Sequence, residues 1–148
     1  MKNGLVPNLM TENVADTVRY YQDTLGFTLL MAVEPVENSQ PNFPTELTDD
    51  MHLIWANMSF ENAEFMFQNR EGLVEEVPVL KDVAIGASQT LYIRLEQDID
   101  AHYERLKNKV NVVVEPTTKF YGMREWYMQD CNGYVLCFGQ AVEGALDD

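Results

Sequence analysis

The chain has 148 residues, 46% hydrophobic and 11% aromatic, a composition that supports one folded domain and excludes a disordered segment. Ten Lys and Arg against 24 Asp and Glu give a formal charge of −14, which repels phosphate backbones and anionic lipid and argues against nucleic-acid and membrane-surface partners. No stretch reaches the roughly 18 consecutive apolar residues of a membrane span, and the opening MKNGLVPNLM lacks a secretory apolar run. The expected location is the cytoplasm, where Cys131 and Cys137 stay reduced.

In chain order, residues 5–11 read as a strand, with Pro7 tolerated at its start. Asn13 is an N-cap for a helix to about Thr24, with Val14, Val18 and Tyr21 on one face and Gly26 closing it. Residues 27–33 form the next strand, and residues 36–49, holding two prolines, form a loop. Residues 52–59 and 64–68 make a hairpin around Glu61-Asn62.

The same order then returns. Leu91 to Leu95 alternates as a half-buried strand, and Asp98 caps a helix whose apolar face is Ile99, Tyr103 and Leu106. Those three lie 85 positions after Val14, Val18 and Tyr21, a constant offset. Val112 to Val114 supply a strand, and residues 124–129 and 134–138 flank the turn Asp130-Cys131-Asn132-Gly133. A repeat of this length indicates duplicated βαβββ modules. Module one spans about 1–70, a linker about 70–86 and module two about 87–141, within a single domain over 1–148. The alternation sends Leu91, Ile93 and Leu95 toward the helix and Thr90, Tyr92 and Arg94 to the other face. The expected fold class is α+β, with the two curved sheets facing each other around a cavity.

Two segments carry a family resemblance. NLMTENVADTVRYYQDTLGF holds Val14, Val18, Tyr20, Tyr21, Leu25, Gly26 and Phe27, and YGMREWYMQDCNGYVLCFGQ holds Arg124, Glu125, Trp126, Asp130, Gly133, Tyr134 and Phe138. On these the chain resembles the glyoxalase/bleomycin-resistance/extradiol-dioxygenase (vicinal oxygen chelate) superfamily, nearest in pattern to bleomycin-resistance proteins. Cys131 stands where the family usually has proline.

The resemblance implies a divalent metal in the enzymes of the family, held by His, Glu or Gln from strands of both modules. Carried onto this chain, the ligand positions fall on Val6, Phe67, Thr90 and Cys137, of which the first two cannot ligate. The expectation is no metal and no other cofactor. His52 and His102 read as partly exposed surface residues, Glu64 as a solvated strand-start carboxylate, and Glu75-Glu76 as a solvated face. Cys137 reads as a packed small residue, since no histidine is placed to activate it.

The expected cavity lining is Asn8, Met10, Trp55, Phe65, Phe67, Tyr92, Arg94, Trp126, Val135 and Cys137, with Thr90 beside them and Tyr121 and Arg124 at the mouth. Such an aromatic set stacks on planar or amphipathic small molecules, though the same rings equally serve as core filling between the sheets. Arg124 and Glu125 alternatively form a plain cross-strand pair. Two functional readings stand. One is a metal-free binding protein that sequesters an aromatic or cationic compound. The other is a metal-dependent lyase, isomerase or dioxygenase of the same superfamily with an atypical site. A homodimer is expected in either case.

Overall fold

The computed structural model of the chain describes residues 4–36, 40 and 42–142; of the expected 36–49 loop, residues 37–39 and 41 lie outside the described residues. The chain divides into two units, Met1–Ile85 and Gly86–Asp148.

In the first unit, β1 (Asn8–Thr11) is followed by α1 (Val14–Asp23), β2 (Thr28–Val33), β3 (Trp55–Phe60) and β4 (Ala63–Asn69). Asn13 starts α1 from an extended backbone, its side chain accepting from Asp16 N at 2.9 Å and so satisfying one orphan donor. Gly26, at φ +79°, then turns the chain into β2. The sheet order is β1-β4-β3-β2, with β1 parallel to β4 and the rest antiparallel. The apolar stripe of α1 is fully used: Val14, Val18 and Tyr21 are buried against this sheet. The Tyr21 ring lies 4.8 Å from that of Phe67, 5.0 Å from Phe27 and 6.0 Å from Phe65. Phe65 and Phe67 therefore belong to the helix side of the sheet.

The segment read as a linker holds two short helical pieces. Asn69 caps α2 (Arg70–Glu76) by accepting from Gly72 N, and a 3-10 turn follows at Pro78–Leu80.

The second unit repeats the design with β5 (Thr90–Arg94), α3 (Ile99–Leu106), β6 (Asn111–Thr118), β7 (Met123–Gln129) and β8 (Val135–Ala141). Its order is β5-β8-β7-β6, and β5 runs parallel to β8. The Asp98 carboxylate caps α3 on Asp100 N and Ala101 N. In the turn before β8, Asp130 Oδ1 accepts from Asn132 N and Tyr134 N, both at 2.8 Å, and Gly133 takes φ +95°. Cys131 is exposed and Cys137 buried, and neither forms a disulfide among the described residues.

On α3, His102 departs from the sequence expectation of a partly exposed surface residue. His102 is buried, because the stripe of α3 runs Ile99, His102, Leu106 at helical spacing. Its ring sits 4.5 Å from Phe138 and 5.5 Å from Trp126, and Tyr103 is only half-buried beside them.

Candidate functional site

The face of the second sheet away from α3 follows from register. Tyr92 pairs with Cys137, which pairs with Tyr127, forming one row across β5, β8 and β7. Arg94, Gly139 and Glu125 form the next row on the same face. Tyr92 leans across β8, over Gly139, and its hydroxyl donates to Glu125 Oε2 at 2.7 Å. Tyr121, from the turn before β7, donates to Glu125 Oε1 at 2.8 Å. Glu125 is only 1% exposed, so both carboxylate oxygens find donors where water does not reach.

The neighbouring groups titrate high. Burial and the Glu125 hydrogen bond raise Tyr92 well above the ordinary phenol value, and the Glu125 hydrogen bond, then burial, raises Tyr121. Tyr127, hydrogen-bonded to Cys137, is pushed up to about 12, and burial pushes the Cys137 thiol up to about 11. At neutral pH this face thus presents neutral phenols and a protonated thiol around Glu125. A protonated thiol without a base is a poor nucleophile, so cysteine catalysis does not fit. The Arg94 guanidinium carbon lies 5.8 Å from the Tyr92 ring centre.

The matching face of the first sheet carries Asn8, Trp55, Asn57, Glu64, Met66 and Gln68, by the pairings Asn8 with Met66, Trp55 with Gln68 and Asn57 with Met66. Asn57 Nδ2 donates to Glu64 at 3.0 Å, while its buried Oδ1 has no partner among the described residues. Asn8 donates to Gln68 at 2.9 Å, and Gln68 donates to Glu76 of α2 at 2.5 Å. Here a cleft of about 650 Å³ opens, walled by Trp55, His52, Gln68, Glu71, Glu75 and Glu76 among others. A second hollow of about 580 Å³ shares His52 and Pro35.

Eight of the residues read from the sequence as ligand-facing lie on these helix-free faces: Asn8, Met10, Trp55, Thr90, Tyr92, Arg94, Val135 and Cys137. Tyr121 joins them through Glu125. Phe65, Phe67 and Trp126 do not. The first two pack on Tyr21, and Trp126 packs on His102, Tyr103 and Phe138, on the helix side. Arg124 shares that side and pairs with Asp100 of α3 at 2.9 Å rather than with Glu125. Glu125, Tyr127, Gly139 and the α2 carboxylates were not singled out as site residues from the sequence. The parity of Arg124-Glu125-Trp126 was the available signal, since flanking residues on one face leave Glu125 on the other.

The sequence profile of the Glyoxalase/Bleomycin resistance protein/Dioxygenase superfamily matches residues 6–138. The chain belongs to this superfamily. Solved structures of the same fold include TioX from Micromonospora sp. ML1, at 17% identity and TM-score 0.67, covering 95% of this chain and 100% of that one. A glyoxalase/bleomycin resistance protein/dioxygenase from Nocardioides aligns at 15% identity and TM-score 0.63, over 100% of this chain and 90% of its own. A family enzyme from Burkholderia phytofirmans PsJN aligns at 12% identity and TM-score 0.65, over 91% and 95%. No curated protein sequence matches the chain.

The superfamily's metal can be tested against the residues present. Val6 offers hydrocarbon, Thr90 a neutral hydroxyl and Cys137 a protonated, buried thiol. Phe67 lies on the helix side of β4, and the β4 residues on the helix-free side are Glu64, Met66 and Gln68; Met66, which pairs with Asn8 as Cys137 pairs with Tyr92, holds the position equivalent to Cys137. This set does not fit a divalent ion, which needs at least three N, O or thiolate donors. Among the described residues no group of three or more His, Cys, Asp or Glu is placed to hold one.

Proposed function

We propose that the protein binds an organic small molecule, aromatic or cationic in character, and works without the superfamily's metal. The observation that carries this reading is the donor set at the family's ligand positions, where Val6, Thr90, Cys137 and Met66 stand in place of imidazoles and carboxylates. Three further features support it. The helix-free faces present Trp55 and the Glu125-bound Tyr92 and Tyr121, Asn57 keeps a buried amide oxygen in reserve, and the charge of −14 favours cations. The protein acts in this reading as a cytoplasmic homodimer, the sheets ending in the edge strands β1, β2, β5 and β6. No helix among the described residues is long and apolar enough to cross a membrane.

The test is calorimetric screening of cationic, neutral and anionic aromatic compounds against chelator-treated protein. Saturable binding that survives chelation is the expected result. Binding or turnover that appears only when a divalent metal is restored would overturn the reading.

A further inference from the structure

We propose that the cleft beside α2 in the first unit is a binding site for an organic cation bearing a flat apolar group, such as an arylalkylammonium. The inference rests on the small-molecule reading and adds the place and the charge of the ligand. At about 650 Å³ the cleft has the size of a small-molecule pocket. Its apolar wall is Trp55, Ile54 and Pro35, and its polar wall includes Glu71, Glu75 and Glu76, with no Lys or Arg among the described lining residues.

The acidic wall runs against the electrostatics of its own helix. Glu71 and Glu75 are four residues apart, so like charges sit on one face of α2, an arrangement that destabilises a helix. The last turn carries Glu75 and Glu76 with no basic residue, at the end where the backbone carbonyls are already negative. A cation in the cleft relieves both penalties. The available arginine is turned elsewhere: Arg70 donates to Glu12 and to the Val83 carbonyl.

The wall is also positioned. Gln68 receives a hydrogen bond from Asn8 and gives one to Glu76, and Gln68 is the cross-strand partner of Trp55. The carboxylate and the indole are thus set by one pair of β-strands. Gly72 lines the cleft, and a Cβ there would stand 2.8 Å from Asn69 Oδ1 and displace the side chain that caps α2. The result is an indole for stacking and cation–π contact in one cleft with three carboxylates.

The test is a titration of the isotope-labelled full chain with benzyltrimethylammonium, followed by nuclear magnetic resonance, with benzyl alcohol and benzenesulfonate as neutral and anionic counterparts. The cation is expected to give saturating shifts at Ile54, the Trp55 indole N–H, the Gln68 side chain and the amides of Glu75 and Glu76. Affinity for the neutral and anionic probes is expected to be lower by about tenfold or more. The double variant Glu71→Gln/Glu75→Gln is expected to weaken the cation about tenfold while leaving the melting temperature equal or higher, because a repulsive pair is removed. Trp55→Leu weakens it similarly. Unchanged affinity in the double variant, equal binding of the sulfonate, or no saturating shift with the cation overturns the proposal. Saturating shifts confined to Tyr92, Tyr121 and Glu125 overturn it as well, yet leave the small-molecule reading standing.

Discussion

The hydroxyl of Tyr92 reaches Glu125 Oε2 at 2.7 Å by crossing an entire strand, and it can do so only because residue 139 is glycine. A Cβ built on Gly139 would stand 2.2 Å from that hydroxyl oxygen. Gly139→Ala should therefore push Tyr92 off the sheet and leave Glu125 with Tyr121 alone. The expected loss is about 1–2 kcal/mol of stability, near that of Tyr92→Phe, after discounting for the exposure of Tyr92. Combined, the two changes should cost little more than either one, because both remove the same bond. Denaturant melts of the three variants check this, and full additivity would show that the glycine serves something else.

A pH dependence follows from the same cluster. Tyr92, Tyr121, Tyr127 and Cys137 all hold their protons more tightly folded than unfolded. Stability from such groups is fully present below the ordinary values of 10.0 for tyrosine and 9.0 for cysteine, and is lost as pH rises through the folded values. The melting temperature should hold through neutral pH and fall on the alkaline side. Ultraviolet titration should find a phenol at about 12, that of Tyr127, and the Cys137 thiol, at about 11, should react with a disulfide reagent far more slowly than exposed Cys131. In Glu125→Gln, Tyr92 and Tyr121 should ionise at lower pH, since their strongest polar partner has lost its charge.

The helix-side rings separate into two kinds. Phe67→Ala empties a site closed by Tyr21 and should cost about 3–5 kcal/mol. Trp126→Phe should cost less, about 1–2 kcal/mol, because the buried Nε1–H has no acceptor among the described residues and its removal ends an unmet hydrogen bond. Thermal melts decide the order, and a reversed order would place Trp126 in a polar contact of its own.

The fold was legible because its signals are local. Asn13 and Asp98 cap the helices where their side chains reach the next backbone amides, and Gly26 and Gly133 take positive φ at the turns. The constant spacing between Val14 and Ile99 shows the duplication. Faces were legible only where polarity alternates. Tyr92 and Arg94 against Ile93 read correctly, whereas Phe65, Met66 and Phe67 are all apolar, and only pairing with β3 and the position of Tyr21 assign their sides. Trp126 and Cys137 were placed on one face, but Trp126 opposes Phe138, a register no local pattern carries. Glu125 reads from the sequence as half of a cross-strand pair with Arg124 because its donors, Tyr92 and Tyr121, meet it only in the folded sheet. Glu75 and Glu76 read as a solvated face because a seven-residue helix with a glycine in its first turn gives a weak periodic signal.

Whether this chain retains its superfamily's metal chemistry is decided by metal content. Protein purified without chelator should carry substoichiometric nickel, zinc, iron and manganese, and adding each ion should leave the melting temperature unmoved. The combined variant Val6→His/Thr90→His/Cys137→Glu supplies the missing donors and should gain metal-dependent stabilisation. One ion per chain retained by the unaltered protein through desalting, with a melting temperature that falls on chelation, would contradict the account.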